Sequence, residues 1–246
     1  VSLDACKNLT VIIPFLGTDL YWKDLLQDLQ PLPAEAEILL VGPEAPDEKL
    51  LKRATESLIA EVRYVSAKRG RGVQMNTGAK SAKHDFFWFL HADTKVPRPT
   101  LFRLNTELER QPGALHFFHL HFLNDGPKLM GLNSLAANLR SRYLQMPFGD
   151  QGFAISRQQF YRIGGFSEDA PYGEDHIFVW EARRKRVPLN MIPAAVFTSA
   201  RRYDTEGWAP LTRKRVLLTI QQATFEALKL FKVRASEKMK TLPRLN

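Results

Sequence analysis

Short apolar runs alternating with segments of helical period constrain this chain more than any other feature. Leu9–Phe15 (LTVIIPF), Ile38–Val41 and Phe86–Leu90 have strand length and almost no polar side chains, and Val62–Val65 reads as a fourth strand. Such runs suit strands covered on both faces, as in parallel sheets. Between them, Trp22, Leu25, Leu26 and Leu29 fall on one helical face, and Leu50, Leu51, Ala54 and Leu58 share another behind a capping Asp47. Gln74–Lys83 reads as a further short helix. This alternation predicts an α/β fold, a Rossmann-like and mainly parallel central sheet flanked by helices.

The second half breaks the rhythm. Leu115–Phe122, Phe153–Ser156 and Leu189–Ile192 read as strands, and Lys128–Leu144, Gln158–Ile163 and Glu174–Arg186 as helices. These elements are expected to sit around the sheet rather than extend it regularly. Leu211–Lys240 reads as a long basic amphipathic helix or a pair of helices. The expected organisation is one domain over 1–205 and a helical extension over 206–246.

With 246 residues, the chain can bury a core without staples, and its single cysteine, Cys6, excludes an internal disulfide. No apolar run has the length of a bilayer span, and Asp4 and Lys7 interrupt the place of a signal sequence. The chain is therefore expected to be cytoplasmic, with its C-terminal helix available to a membrane surface or a second copy. A net charge of +9 admits three partners: nucleic acid, an anionic membrane or a phosphorylated substrate. Basic runs at 68–71, 183–186 and 201–215 can equally be solvated surface.

Five segments could carry chemistry. In FFWFLHADTKVP (86–97) an apolar strand runs into a polar turn, and ligands of open parallel sheets bind beyond the carboxyl ends of strands. Asp93 there could hold Mg²⁺ or Mn²⁺, hard cations that favour oxygen ligands, or could merely cap the turn. His91, as a single histidine, is more often a structural hydrogen-bonder than a ligand. KRGRGVQMNTG (68–78) combines turn-forming Gly70 and Gly72 with basic side chains and the start of a helix, which can face a phosphate or RNA. It is neither a Walker loop nor a dinucleotide fingerprint. GDQG (149–152) reads as a tight polar loop or an ordinary Asx-type turn. GGFSEDAPYGED (164–175) ends in carboxylates at a helix start, where the helix dipole alone favours them. Asp175 there could act as a general base, with Glu174 binding the acceptor or supporting the base. In TSARRY (198–203), Arg201 and Arg202 could clamp a diphosphate or lie solvated.

Taken in order, VIIPF (11–15), GRGVQMNTGA (70–79), FLHADT (89–94), GDQGFAI (149–155), GGF (164–166), GED (173–175) and TSARRY (198–203) resemble the family-2 glycosyltransferases of the A-type fold. More narrowly, they resemble the bacterial branch associated with radical-SAM and selenium-domain proteins, including the arsenosugar-biosynthesis type. The resemblance implies inverting transfer of a sugar from a nucleoside diphosphate sugar (UDP- or GDP-linked) to a hydroxyl acceptor, with Mg²⁺ or Mn²⁺. It implies that Pro14 and Phe15 begin the nucleotide pocket and that Arg69, Arg71 and Gln74 lie near nucleotide or phosphate. Asp93 matches the metal-binding aspartate, with Ala92 between it and His91. Gly149, Asp150 and Gln151 match the loop at the sugar and acceptor, and Asp175 the catalytic base. Two positions depart from the pattern: Glu44 follows the second strand where an aspartate is usual, and His91 stands where the first aspartate of Asp-x-Asp often does.

Two other classes fit parts of the chain. A nucleotidyltransferase would need a glycine-rich loop with a catalytic Lys or Arg after the first strand, which Leu16-Gly17-Thr18 lacks. A non-catalytic basic protein would bind DNA or anionic membrane in a salt-dependent way.

Overall fold

A computed structural model describes residues 3–16, 20–170 and 172–241. The turn at 17–18, on which the nucleotidyltransferase alternative turns, lies outside them. Strand β1 (Leu9–Pro14) leads to helix α1 (Trp22–Asp28), then β2 (Glu37–Gly42), α2 (Glu48–Thr55), β3 (Glu61–Ser66), α3 (Arg71–Ser81) and β4 (Phe86–Phe89). Helix α4 (Arg98–Arg110) and β5 (Leu115–Phe122) follow, then α5 (Met130–Tyr143), β6 (Phe153–Ser156), α6 (Arg157–Ile163), α7 (Glu174–Arg184), β7 (Leu189–Thr198), α8 (Arg201–Glu206) and α9 (Trp208–Thr241).

Among the described residues, seven strands join one sheet in the order β3-β2-β1-β4-β6-β5-β7. Only β6 runs against its neighbours; the other pairings are parallel. The α/β class expected from the sequence is thus the one observed. The strand β1 alternates sides: Val11 and Ile13 face a core layer with Trp22, Leu25 and Trp88, while Ile12 faces the opposite layer with Phe87, Phe117, Phe160 and Phe178. Each large side chain buried this way contributes about 1.5–3 kcal/mol.

The structure corrects the reading of the second half. Strands β5, β6 and β7 extend the sheet directly instead of surrounding it. Helix α4 falls where the sequence pattern predicts no element, with Leu101, Leu104 and Leu108 buried on one face. The last strand continues past Pro193 to Thr198, because β7 is an edge strand and the register slips opposite Phe118/His119, leaving room for a residue without an N–H. The C-terminal region is one helix of 34 residues, not a pair.

One pairing governs where the site falls. Because β6 is antiparallel, the residues just before it lie at the same sheet edge as the carboxyl ends of β1, β2, β4 and β5. The loop 149–152 is thereby delivered to the edge where ligands of such sheets bind.

Candidate active site

The site is assembled from turns at that edge. The turn after β4 is closed by Thr94 N–H donating to the His91 carbonyl at 3.0 Å, which fixes His91, Ala92 and Asp93 together. Gly149–Gln151 forms a single 3-10 turn before β6. Helix α7 opens behind Gly173, whose left-handed φ of 69° suits glycine, and puts Glu174 and Asp175 in its first turn.

Three of these pieces meet. Gly149 N–H donates to Asp175 Oδ2 at 2.7 Å, and His176 N–H donates to Asp175 Oδ1 at 2.8 Å. A Cβ at position 149 would stand 3.0 Å from Asp175 Oδ2 and 3.2 Å from His91 Nε2, so only glycine lets the three approach. Arg71, the first residue of α3, bonds through Nε to Glu174 Oε1 and brings Nη1 to 3.4 Å from His91 Nε2. A guanidinium only donates, so His91 Nε2 is the acceptor and the ring is neutral. Burial, reinforced by Arg71, holds the His91 pKa well below its ordinary value. For Asp175, burial opposes ionisation but is overcome by the Arg71 charge and the Gly149 and His176 amides, and its carboxyl stays below the usual range. The neighbouring Asp150 goes the other way: burial raises its pKa against the pull of Arg140, and Asp175 adds to the rise. Asp150 Oδ1 is buried and has no hydrogen-bond partner.

Asp93 belongs to the same turn as His91 and meets the other end of the chain. Arg201 Nη1, at the start of α8, lies 3.2 Å from Asp93 Oδ2, and its guanidinium stacks 3.9 Å from the Tyr21 ring centroid. Arg202 instead turns to Glu206 on its own helix, at 3.1 Å, on the exposed side. Among the described residues no three His, Cys, Asp or Glu side chains converge to cage a metal. Magnesium-type sites commonly use one or two carboxylates with substrate phosphates supplying the rest. Asp93 has the chemistry for that anchor. A cation on His91 Nε2, by contrast, would compete with the Arg71 guanidinium.

The remaining candidates support the site from behind. Gln74 is buried and its Nε2 donates to the Phe15 and Val41 carbonyls at 2.7 and 2.8 Å, tying the ends of β1 and β2. Gln151 is fully buried, donating to the Phe118 carbonyl at 2.8 Å and accepting from Ser141 Oγ at 2.6 Å. Phe15 packs edge-on against Trp22 and Tyr64 beside the half-buried Pro14 at the end of β1. Ala92 is buried, while Glu44 and Arg69 are exposed in the turns after β2 and before α3. The glycine-rich segment therefore acts mainly by close packing. A Cβ on Gly72 would sit 2.5 Å from the Ser167 carbonyl oxygen.

Sequence reasoning missed several residues of the assembly. Asn76 clamps the loop leading to α7, donating to the Phe166 carbonyl and accepting from the Phe166 N–H, both at 2.9 Å. Arg140 places its guanidinium 3.6 Å from the Phe148 ring centroid and faces Asp150. Trp180 Nε1 donates to His176 Nε2 at 2.9 Å, which leaves the His176 proton on Nδ1, donating to Gln222 Oε1 of α9 at 2.7 Å. Apart from the His176/Trp180 pair, four residues apart on α7, these contacts join different elements or pair a side chain with a distant backbone group, and nothing local in the sequence signals them.

Buried, oppositely tuned carboxylates and arginines gathered at the carboxyl edge of an open α/β sheet mark that edge as the candidate ligand site. The chain belongs to glycosyl transferase family 2, whose sequence profile matches residues 34–167, more than half of its length. Its fold is of the A type. Among solved structures it is similar to S. aureus TarS 1-349, with a TM-score of 0.61 and 17% identity over 78% of this chain and 60% of that one. The complex of TarS 1-349 with UDP-GlcNAc gives a TM-score of 0.60 and 18% identity, over 79% and 59% of the two chains. The mannosyltransferase PcManGT from Pyrobaculum calidifontis, in complex with GDP-Man and Mn²⁺, gives 0.56 and 18%, over 77% and 56%. The chain spans less than two thirds of each of these proteins. No curated protein sequence matches it.

Proposed function

We propose that the chain transfers a sugar, with inversion, from a nucleoside diphosphate sugar to a hydroxyl acceptor, with Asp175 as the general base. The observation that carries this is the Asp175 carboxylate, kept ionised in a buried setting beside Gly149 and His91 at the sheet's ligand-binding edge. The family match ends before Asp175, so its role rests on this geometry and on the GED resemblance. A carboxyl of low pKa is a weak resting base; it serves when the acceptor proton leaves as the new C–O bond forms. Arg71 keeps Asp175 charged, and Gly149 aims it. Similar folds are known with UDP-GlcNAc and with GDP-Man, which supports a UDP- or GDP-sugar donor.

Asp93 is proposed to anchor a divalent cation, Mg²⁺ or Mn²⁺, together with the donor's diphosphate. That ion, when bound, offsets negative charge on the leaving diphosphate. The PcManGT complex with Mn²⁺ supports a metal of this class. Arg201, at 3.2 Å from Asp93, would then turn to the diphosphate. The Pro14–Phe15 end of β1, Glu44 and Arg69 border the proposed nucleotide pocket; Gly149 and Asp150 border the sugar and acceptor. We retain 1–205 as the catalytic unit and 206–246 as an extension. The radical-SAM-associated branch is kept as the narrower relationship, on the GGF, GED and TSARRY segments.

The test is a thermal-shift screen of nucleoside diphosphates and their sugars, with and without Mn²⁺, on wild type, Asp93→Ala and Asp175→Asn. Asp175→Asn should keep the metal-dependent donor shift and lose transfer; Asp93→Ala should lose that shift. An unchanged shift in Asp93→Ala would remove the metal role, and full transfer by Asp175→Asn would remove the base.

A further inference from the structure

Helix α9 is apolar on two sides, and only one of them has a partner. Its inner side packs on the body of the protein: Leu211 joins Met130, Ala200 and Tyr203, while Leu230 joins Met146 and Trp180. On the outer side, Leu217, Ile220, Leu228 and Phe231 recur at spacings of three and four around Thr224, and all are exposed, Phe231 to 72%. A helix apolar on both sides is normally buried on both. The adjoining α5 repeats the pattern. It buries Met130, Ser134, Ala137 and Ser141, and opposite them exposes Leu132, Leu135, Leu139 and Tyr143, the last to 70%. The two helices are neighbours, since Asn133 of α5 bonds to Thr212 at 3.2 Å and to Trp208 at 2.7 Å.

Charge distinguishes the occupants. Arg213, Lys214, Lys232 and Arg234 are exposed along α9. Its acidic side chain among the described residues, Glu226, is buried and paired with Arg184 and Lys229. A second copy would present the same basic stripe to itself, on a chain of net charge +9, with no exposed acid among the helix's described side chains to answer it. An anionic bilayer supplies the missing negative charge and accepts leucine and phenylalanine at the acyl boundary. No described helix is long and apolar enough to cross a membrane, so the contact would be peripheral. We infer that the outer face of α9, extended by α5, is a docking surface for anionic lipid bilayers. The inference does not depend on the sugar-transfer reading.

Co-sedimentation of the full chain with phosphatidylcholine vesicles, with and without phosphatidylglycerol, tests it. Binding should appear only with phosphatidylglycerol and weaken with salt. The exposed pair Leu217→Ser/Phe231→Ser should weaken it about tenfold or more while circular dichroism stays unchanged, and Lys214→Glu/Lys232→Glu should do the same. Binding that survives both pairs would overturn the inference, as would equal binding to neutral vesicles or none to either. A dimer that Leu217→Ser/Phe231→Ser converts to monomer, without vesicle binding in the wild type, would assign the face to a second copy instead.

Discussion

The amide of Gly149 and the carboxylate of Asp175, 26 residues apart in the chain, are joined by a 2.7 Å hydrogen bond that ties the loop before β6 to the head of α7. The bond leaves no space for a side chain at 149, since a Cβ there would touch Asp175 Oδ2, its Cβ and His91 Nε2 within 3.2 Å. Gly149→Ala should therefore lower kcat by about 10²–10⁴-fold, the scale of a lost general base, with a smaller change in donor affinity. Steady-state kinetics and donor titration separate the two; a wild-type kcat would show that Asp175 is not aimed by this bond.

Arg71 is the first opposing influence that keeps Asp175 ionised against burial. In Arg71→Gln the Asp175 pKa should rise, so the pH at which the base becomes protonated also rises. The acid limb of the kcat/KM profile is expected to move to higher pH, while the alkaline limb stays in place. A uniform drop at every pH would instead mean that Arg71 acts on substrate binding.

Asp150 carries a cost at neutral pH. Its pKa is raised in the folded protein, so its favourable contribution is complete below the ordinary aspartate value and is lost as pH climbs through the folded value. A buried carboxyl oxygen without a hydrogen-bond partner costs about 1–3 kcal/mol. Asp150→Asn should raise Tm at pH 7, lose that advantage in acid, and impair transfer. Calorimetry across the pH range decides; a lower Tm at neutral pH would contradict the assignment.

Glu37 has the opposite sign. It is buried on β2 and accepts from Thr10 Oγ1 at 2.9 Å, Lys83 N–H at 3.0 Å and Arg63 Nε at 2.9 Å. Burial opposes its charge, but these donors outweigh burial and lower its pKa. The stabilisation is complete above the ordinary carboxylate range and fades as pH falls through the folded value. Glu37→Gln should cost about 1.5–3 kcal/mol at pH 7, the worth of hydrogen bonds to a charged group. Urea titrations should show the gap to wild type narrowing in acid.

Of the first four strands, β1, β2 and β4 were legible as apolar runs with their own length and borders, and the loops following them could be placed at the sheet edge from that reading alone. Helix α4 was hidden by Pro97 and Pro99, which read as turn, although Pro99 sits in the first helical turn where a missing N–H is harmless. Pro193 similarly cut β7 short in the sequence, because edge position and a register slip are tertiary facts. Glu174, Asp175, His91 and Arg71 were visible as residue types, and the structure brings them together. The resemblance puts Gln74 near the nucleotide and Gln151 in the sugar and acceptor loop; that their amides also tie buried carbonyls of β1, β2 and β5 is a tertiary fact no local pattern reveals.

The contact between Gln222 and His176 places part of the extension one residue from Asp175. Gln222 Nε2 also reaches the Gly173 carbonyl at 3.3 Å, so α9 props the bend from which the carboxylates project. A border drawn at residue 206 consequently runs through the scaffolding of the proposed reaction centre. The terminal helix thus holds, through Gln222, both the His176 ring and the Gly173 bend beside Asp175.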